Sequence, residues 1–300
     1  MSQITRGTPA GQAYLDLQNQ ARRSHRPTDE LHQLYALEGF VARLASSPVA
    51  NSFVLKGGVL LAAFASRRPT RDVDLAASGI SNEVESMLEL VQQILAVTLP
   101  EDDGLTFDTT TLTAEPIRDE DEYPGVRVNI LAHLASAVIR FHVDINVGDP
   151  IWPAPQLIAL PRLRGGNPII MTGYPPYMVH AEKIVTAVQR GPTNTRWRDF
   201  ADIWMLAQRQ PLEGLVLEQA IQQVSAHRKA QLRPLTELLH GYDKAGQSKW
   251  AAWRRRQRFD HLPEQFHIVL QAVISFADPP LNSKTDGLIW DPEQWIWRQP

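Results

Sequence analysis

The sequence predicts an α+β protein in which a small mixed β-sheet lobe is followed by a helical C-terminal lobe. The first half contains short segments of alternating apolar and polar residues, which are typical of half-buried strands. A Pro- and Gly-rich segment at residues 148–176 then marks a change of lobe, and helical spacing of apolar residues dominates from Tyr177 onward. A length of 300 residues is also long for one domain and favours two packed lobes.

The same patterns predict the individual elements. Thr28 is a candidate N-cap for a helix in the first segment, and Asn82 with Glu85 resembles a capping box for a helix that runs to about Val97. The tryptophan-rich C-terminal tail is expected to pack back on the body. The predicted strands lie at 52–55, 71–77, 105–112, 125–134, 138–147, 157–160 and 169–171. The other predicted helices lie at 59–64, 177–190, 196–208, 215–227, 230–240, 248–257 and 263–276. The predicted regions are a helical segment packed on the sheet lobe at 1–48, the sheet lobe at 49–172 and the helical lobe at 173–300.

The amino-acid composition indicates which classes of protein are compatible with this sequence. A hydrophobic fraction of 43% and a charged fraction of 21% are typical of a soluble globular chain. The absence of cysteine excludes disulfides, thiolate nucleophiles and cysteine-ligated zinc. We find no signal peptide and no run long enough to span a membrane, so we expect a cytoplasmic protein without a membrane partner. With a net charge of −3, a nucleic-acid partner would need a local basic patch.

Two acids near a glycine turn point to metal-assisted phosphoryl chemistry. Asp72 and Asp74 alternate with apolar residues on a predicted strand, so both carboxylates leave the same face. Mg²⁺ prefers such oxygen ligands together with substrate phosphates. The turn at Gly57 and Gly58 has no side chains to block a triphosphate, and Lys56 before it offers a point charge. An Asp-x-Asp strand alone would fit an exposed polar face, but this combination favours a metal site.

A third acid is predicted on a neighbouring strand. Asp144 lies on the polar face of the strand at 138–147, where it could bind a metal or accept the proton of an attacking hydroxyl. The alternative is that Asp144 is simply the ion-pair partner of Arg127 or Arg140.

A second charged group is predicted in the helical lobe. Asp199 and Asp202 are three residues apart and share one helical face, and Lys183 on the preceding helix can face them and reach a triphosphate. We assign nucleotide binding to Lys183, a catalytic role to Asp202 and an orienting role to Asp199. The alternative is an interhelical salt bridge, which contributes only about 0–1 kcal/mol when exposed.

Cations and aromatic residues alternate densely at 249–259. Trp250 and Trp253 would share one side of a helix, with the cations beside them. This pattern suits the phosphates and an exposed base of an RNA. A core tryptophan pair beneath a solvated basic face is the equally strong alternative.

Taken together, these motifs resemble the AbiEii/AbiGii toxin family within the DNA-polymerase-β-like nucleotidyltransferases. The resemblance covers roughly residues 30–280. Its motifs lie at 53–58, 68–75, 123–127, 143–150, 174–183 and 194–203. Arg71 and Arg198 stand where the family frequently has Lys, so charge is kept while local phosphate geometry differs.

The resemblance implies a magnesium- or manganese-dependent enzyme that transfers a nucleotide from a nucleoside triphosphate (NTP) to an acceptor hydroxyl. Relatives act as toxins in toxin–antitoxin and phage-defence systems, and some modify the 3′ end of tRNA and so block translation. A cognate antitoxin is therefore an expected partner. The residues that match positions on which the family relies are Lys56, Asp72, Lys183 and Asp202. Thr70 and Arg71 are assigned to nucleotide binding with Gly57, Gly58 and Asp199.

Two other functions stay open from the sequence. The same chemistry could modify a protein hydroxyl or a small molecule instead of tRNA. Alternatively, the chain could bind a nucleotide without turnover, as a sensor or an interaction module.

Overall fold

The computed structural model describes residues 4–64, 67–117 and 125–300. The chain divides into two compact units. The first is Met1–Asp149 with Gln156–Gly173, and the second is Pro150–Pro155 with Tyr174–Pro300. The first carries a mixed β-sheet and the second is mainly helical, so the predicted α+β fold class is confirmed. Among the described helices, none has the length and apolar character needed to cross a membrane.

The sheet of the first unit has the order β3-β5-β6-β2-β1-β8-β7, and β4 also pairs with β5. At its centre β2 runs parallel to β6 and antiparallel to β1. The strands are β1 Phe53–Lys56, β2 Asp72–Ala77, β3 Leu105–Phe107, β4 Thr113–Ile117, β5 Gly125–Leu134, β6 Ala137–Val147, β7 Gln156–Leu160 and β8 Ile169–Gly173.

Helices cover the apolar face of this sheet. The alternation in β6 buries Phe141, Val143 and Ile145 on one face. Phe40 of the second helix packs edge-on against Phe141, with ring centroids 6.3 Å apart. The polar residues of β2 and β6 are therefore left on the other face. The helices of this unit are α1 Pro9–Arg23, α2 Thr28–Ala45, α3 Gly57–Phe64 and α4 Val84–Leu95.

The second unit is built from helices and a C-terminal hairpin. As expected, the aromatic tail packs back: Trp290 is fully buried, and its indole N–H donates to the carbonyl of Ala207 at 2.7 Å. Trp295 and Trp297 make equivalent bonds to carbonyls of the last helix. The elements are α5 Pro176–Arg190, α6 Trp197–Ala207, α7 Gly214–His227, α8 Leu235–Leu238, α9 Tyr242–Gln257, α10 Phe266–Leu281, β9 Ile289–Asp291 and β10 Ile296–Arg298.

Several predicted boundaries were wrong, and local chemistry explains them. The strand predicted at 105–112 is broken because Asp108 accepts a hydrogen bond from the backbone N–H of Thr110, which favours a 3₁₀ turn at Thr109–Thr111. The helix predicted at 230–240 is reduced to α8, because Pro234 disfavours helical backbone in the residue before it.

The predicted caps were also wrong. Thr28 is the first helical residue of α2, and Pro27 precedes it as N-cap. Helix α4 begins after Glu83, whose backbone N–H donates to the hydroxyl of Ser81. Helix α9 begins six residues earlier than its predicted start at 248. The four acidic residues at 119–122, which the sequence predicts to be a solvated loop, lie outside the described residues.

Candidate active site

A row of four charged residues crosses the centre of the sheet. In β1 and β2, Lys56 is the register partner of Asp74. Asp74 is in turn the partner of Asp144 in β6, and Asp144 is the partner of Arg127 in β5. Register partners in neighbouring strands point to the same face of a sheet. The row therefore reads Lys, Asp, Asp, Arg on the face opposite the apolar core.

Asp72 joins this row on the same face. It lies two residues before Asp74, and buried Val73 points the other way. The hydroxyl of Thr70 donates a hydrogen bond to Asp72 Oδ1 and fixes that carboxylate. Arg71 beside them is exposed. The strand register thus brings the three predicted aspartates together on one surface.

The glycine turn lies directly against these acids. Gly57 has a φ of +67°, and a Cβ built there would stand 1.7 Å from Asp74 Oδ2. A Cβ on Gly58 would stand 2.6 Å from Thr70 Oγ1 and 3.2 Å from Arg68 Nη2. Because α3 begins at Gly57, the first N–H groups of that helix lie at the same corner. The corner is therefore lined by a carboxylate, a hydroxyl and a guanidinium.

Lys56 is held by an acid that sequence reasoning did not single out. Its Nζ lies 2.5 Å from Asp149 Oδ2, and both side chains are largely buried. Asp149 follows β6 immediately after Gly148, so the end of one strand positions the cation of another. A signal was present, because Asp149 lies within the family-like motif at 143–150.

Asp144 is engaged by Arg127. The guanidinium bonds both carboxylate oxygens, Nε to Oδ1 and Nη2 to Oδ2, each at 2.8 Å. This is one of the two ion-pair partners that the sequence left open. Within the ranges 4–64, 67–117 and 125–300, no three His, Asp or Glu groups are placed so that they could hold a metal ion together. The assignment of Asp144 as a metal ligand stays a prediction.

In the second unit, Lys183 bridges the two acids of α6. Its Nζ lies 2.9 Å from Asp199 Oδ1 and 2.7 Å from Asp202 Oδ2. Arg196 adds a second cation, with Nε 2.8 Å from Asp199 Oδ2. The interhelical salt bridge that the sequence left as the alternative is therefore present, and it is buried, because the side chains of Asp199 and Asp202 are 4% and 0% exposed. The nucleotide role of Lys183 and the catalytic role of Asp202 stay predictions.

Burial and charge set the ionisation of this group. Burial alone raises the pKa of Asp199, but the charges of Lys183 and Arg196 outweigh it and lower the pKa to about 2. His180 is fully buried one helical turn before Lys183, and burial together with the Lys183 charge lowers its pKa to about 3. Asp199 is therefore anionic and His180 neutral near pH 7.

The basic stretch at 249–259 separates into a core part and a surface part. Trp250 is fully buried, and its indole N–H donates to the carbonyl of Pro263, so it belongs to the core. Trp253, whose ring centroid lies 5.2 Å from that of Trp250, is half-buried. Trp250 is thus unavailable for base stacking. The exposed face of α9 keeps cations for which the described part of the chain shows no acidic partner: Lys244, Lys249, Arg255 and Arg256.

Comparison with known proteins identifies the family. The family described as "Nucleotidyl transferase AbiEii toxin, Type IV TA system" matches residues 39–272. The chain belongs to the AbiEii nucleotidyltransferase toxin family. Lys56, the acids of the sheet and the Lys183 group of this AbiEii protein all lie within the matched residues. A search of curated protein sequences finds no match.

Solved structures resemble the AbiEii chain at low sequence identity. JHP933 from Helicobacter pylori is 17% identical with a TM-score of 0.47, and the alignment covers 85% of this chain and 94% of that one. A candidate nucleotidyltransferase from Helicobacter pylori is 14% identical with a TM-score of 0.49, covering 85% and 96% of the two chains.

Proposed function

We propose that this AbiEii protein is a toxin that transfers a nucleoside monophosphate from an NTP to the 3′-terminal hydroxyl of tRNA. The modified tRNA could not be aminoacylated, so translation would stop. Family membership supports nucleotidyl transfer. The observation that carries the proposal is the shared face of Asp72 and Asp74 beside the glycine turn at Gly57.

The residues at this corner fit a divalent metal ion. Asp72 and Asp74 supply hard carboxylate oxygens, and the missing side chain at Gly57 lets the Asp74 carboxylate lie against the start of α3. We assign Mg²⁺ or Mn²⁺ to these two acids. When bound, such an ion supplies positive charge that stabilises the phosphates and the leaving pyrophosphate. Asp144 completes the acidic face as the neighbour of Asp74.

The chain's own groups would position the triphosphate. The N–H groups at the start of α3 can donate to phosphate oxygens, because the first N–H groups of a helix have no partner within it. Lys56 and Arg68 add positive charge at the same corner. Thr70 holds Asp72 in orientation, and Arg71 lies exposed before β2. These groups bind and orient the substrate and offset its negative charge.

The buried group of the second unit is proposed to take part in nucleotide binding as well. Lys183 and Asp202 match positions on which the family relies. Stability alone is a weak reason to bury an ammonium group with two carboxylates. The free energy needed to remove these charges from water opposes the attraction between them. We therefore assign Lys183 to phosphate contact, Asp202 to catalysis and Asp199 to the orientation of Lys183.

RNA as the acceptor is supported by the family resemblance and by the exposed cations of α9. Exposed Lys and Arg side chains bind phosphates of a nucleic acid largely without regard to sequence. A tRNA substrate would place the protein in the cytoplasm. The toxin–antitoxin character of the family further supports a neutralising antitoxin as partner.

The experiment that tests this function uses the four NTPs in turn, each labelled at the α-phosphate, and determines which molecule receives the label. The protein is incubated with Mg²⁺ and, separately, with total RNA, lysate protein and a metabolite extract. Label on the 3′ end of tRNA supports the proposal. Label on protein or on metabolites would show that the same transfer reaction uses a different acceptor. Nucleotide binding by calorimetry without any transfer would reject the enzyme in favour of a sensor.

A further inference from the structure

Arg127 places a guanidinium beside the acids of this site. It lies on β5, and its register partner on β6 is Asp144. Its guanidinium bonds both oxygens of that carboxylate at 2.8 Å. Planar two-point bonding of this kind matches the geometry of a carboxylate and is stronger than a single contact. Each oxygen of Asp144 therefore accepts a hydrogen bond from Arg127.

The charge of Arg127 interacts with other acids besides Asp144. Its pKa is raised first by the hydrogen bonds to Asp144, and also by the negative charges of Asp144, Glu115 and Asp72, although burial opposes the shift. Arg127 thus stays protonated at every physiological pH. Its charge therefore interacts with two of the three aspartates, Asp144 and Asp72.

Asp72 is held differently from Asp144. It accepts a hydrogen bond from the neutral hydroxyl of Thr70. A neutral hydroxyl leaves the negative charge of Asp72 in place, whereas a guanidinium cancels that of Asp144. Arg140, on the same face of β6, is exposed and has no bond to Asp144 among the described contacts.

We propose that Arg127 is a built-in second cation that withholds Asp144 from the metal, so that a divalent ion binds at Asp72 and Asp74 alone. This inference rests on the proposed function, because it assumes a metal at those two acids. Asp144 then serves to position Arg127, whose charge faces the same surface. In a purely structural cross-strand pair, loss of Arg127 would change stability and leave metal affinity unaltered.

The metal affinity of the protein without nucleotide distinguishes a role of Arg127 in metal binding from a purely structural pair. Mn²⁺ is titrated without nucleotide, and the free ion is followed by electron paramagnetic resonance. The variants are Arg127→Met, Arg127→Lys and the double variant Arg127→Met/Asp144→Asn. Arg140→Met is the matched control, because it removes the same charge from the same face. Circular dichroism establishes that each variant is folded.

We expect Arg127→Met to bind Mn²⁺ at least about tenfold more tightly than the natural protein, because a competing charge is removed and a carboxylate is released. Arg127→Lys should give a smaller gain and stands in if the Met variant does not fold. The double variant should lose the gain, and Arg140→Met should show none. Unchanged or weaker Mn²⁺ binding by the folded Arg127 variants, or an equal gain in Arg140→Met, would overturn the proposal.

Failure of the proposed function has a different signature. Asp72→Asn should weaken Mn²⁺ binding at least about tenfold, since it removes a charged ligand. If Asp72→Asn has no effect, the metal site itself is rejected. If Asp72→Asn weakens binding while the Arg127 variants do not strengthen it, only the inference on Arg127 fails.

Discussion

The carboxylate of Asp74 fills the space in which a side chain on Gly57 would begin. A Cβ on Gly57 would stand 1.7 Å from Asp74 Oδ2, and the residue has a φ of +67°. Glycine is thus required both by the backbone conformation and by the contact with the acid. The turn and the acidic strand are consequently one structural feature.

Replacing this glycine should displace the acid. We predict that Gly57→Ala lowers the free energy of unfolding by about 1–2 kcal/mol through backbone strain and also abolishes Mn²⁺ binding and nucleotide transfer. Gly79→Ala is the matched control, because Gly79 has a φ of +71° and open space around its Cβ position. Gly79→Ala should show the same strain with full activity. Equal activity in the two variants would show that the contact with Asp74 has no role.

The hydroxyl of Thr70 should matter through Asp72. Thr70→Val keeps the shape of the side chain and removes the donor to the carboxylate. We predict a loss of transfer of about tenfold or more, as expected for a hydrogen bond to a charged group. Thr70→Ser keeps the donor and should restore most of the activity. If the Ser variant were as impaired as Val, the effect would come from packing and not from the hydrogen bond.

The α9 cations should contribute to RNA affinity. We predict that Lys249→Glu with Arg256→Glu weakens binding of tRNA about tenfold or more at low salt, because each cation contacts phosphate non-specifically. Transfer to a small acceptor should be unaffected. The matched double variant Arg22→Glu with Arg23→Glu reverses two exposed charges at the end of α1. An equal loss in both variants would indicate a general charge effect instead of a surface on α9.

Acid should destabilise the protein partly through Asp199. Its pKa in the folded chain is lowered from 3.8 to about 2. Because the folded pKa lies below the unfolded one, the stability due to ionised Asp199 is fully present above pH 3.8 and is lost as the pH falls toward 2.

This contribution is measurable by denaturation at several pH values. The natural protein should lose roughly 2 kcal/mol more than Asp199→Asn over that range. Asp286→Asn changes an exposed acid of the same unit and should leave the pH dependence unchanged. If the free energy of unfolding depended on pH in the same way in the natural protein and in Asp199→Asn, the proposed ion-pair arrangement would be contradicted.

The sequence predicted the face of the sheet on which each aspartate lies, but not which residue of the adjacent strand lies beside it. Alternation in β2 and β6 places Asp72, Asp74 and Asp144 opposite the apolar residues, and the structure has this arrangement. The pairing of Asp74 with Asp144, however, depends on which strands are adjacent and in what register. That information is non-local and is absent from any single alternating segment.

The ion pairs of the sheet were left undecided or missed for the same reason. Arg127 was one of two partners considered for Asp144, and only the register of β5 against β6 selects it. Asp149 lies 93 residues from Lys56 along the chain. Helix α9 was predicted too short. The additional residues include Gly246, which allows close approach of Trp197, whose ring lies 2.9 Å from the Cβ position.

The most direct measurement is transfer of labelled nucleotide to tRNA by the natural protein and by Asp72→Ala. Glu101→Ala, which removes an exposed acid from the same unit, is the control. We predict that Asp72→Ala stays folded and loses transfer by at least about a thousandfold, because an acid that holds the metal is removed, while the control is fully active. Transfer by Asp72→Ala at the rate of the natural protein would contradict the assignment of the site.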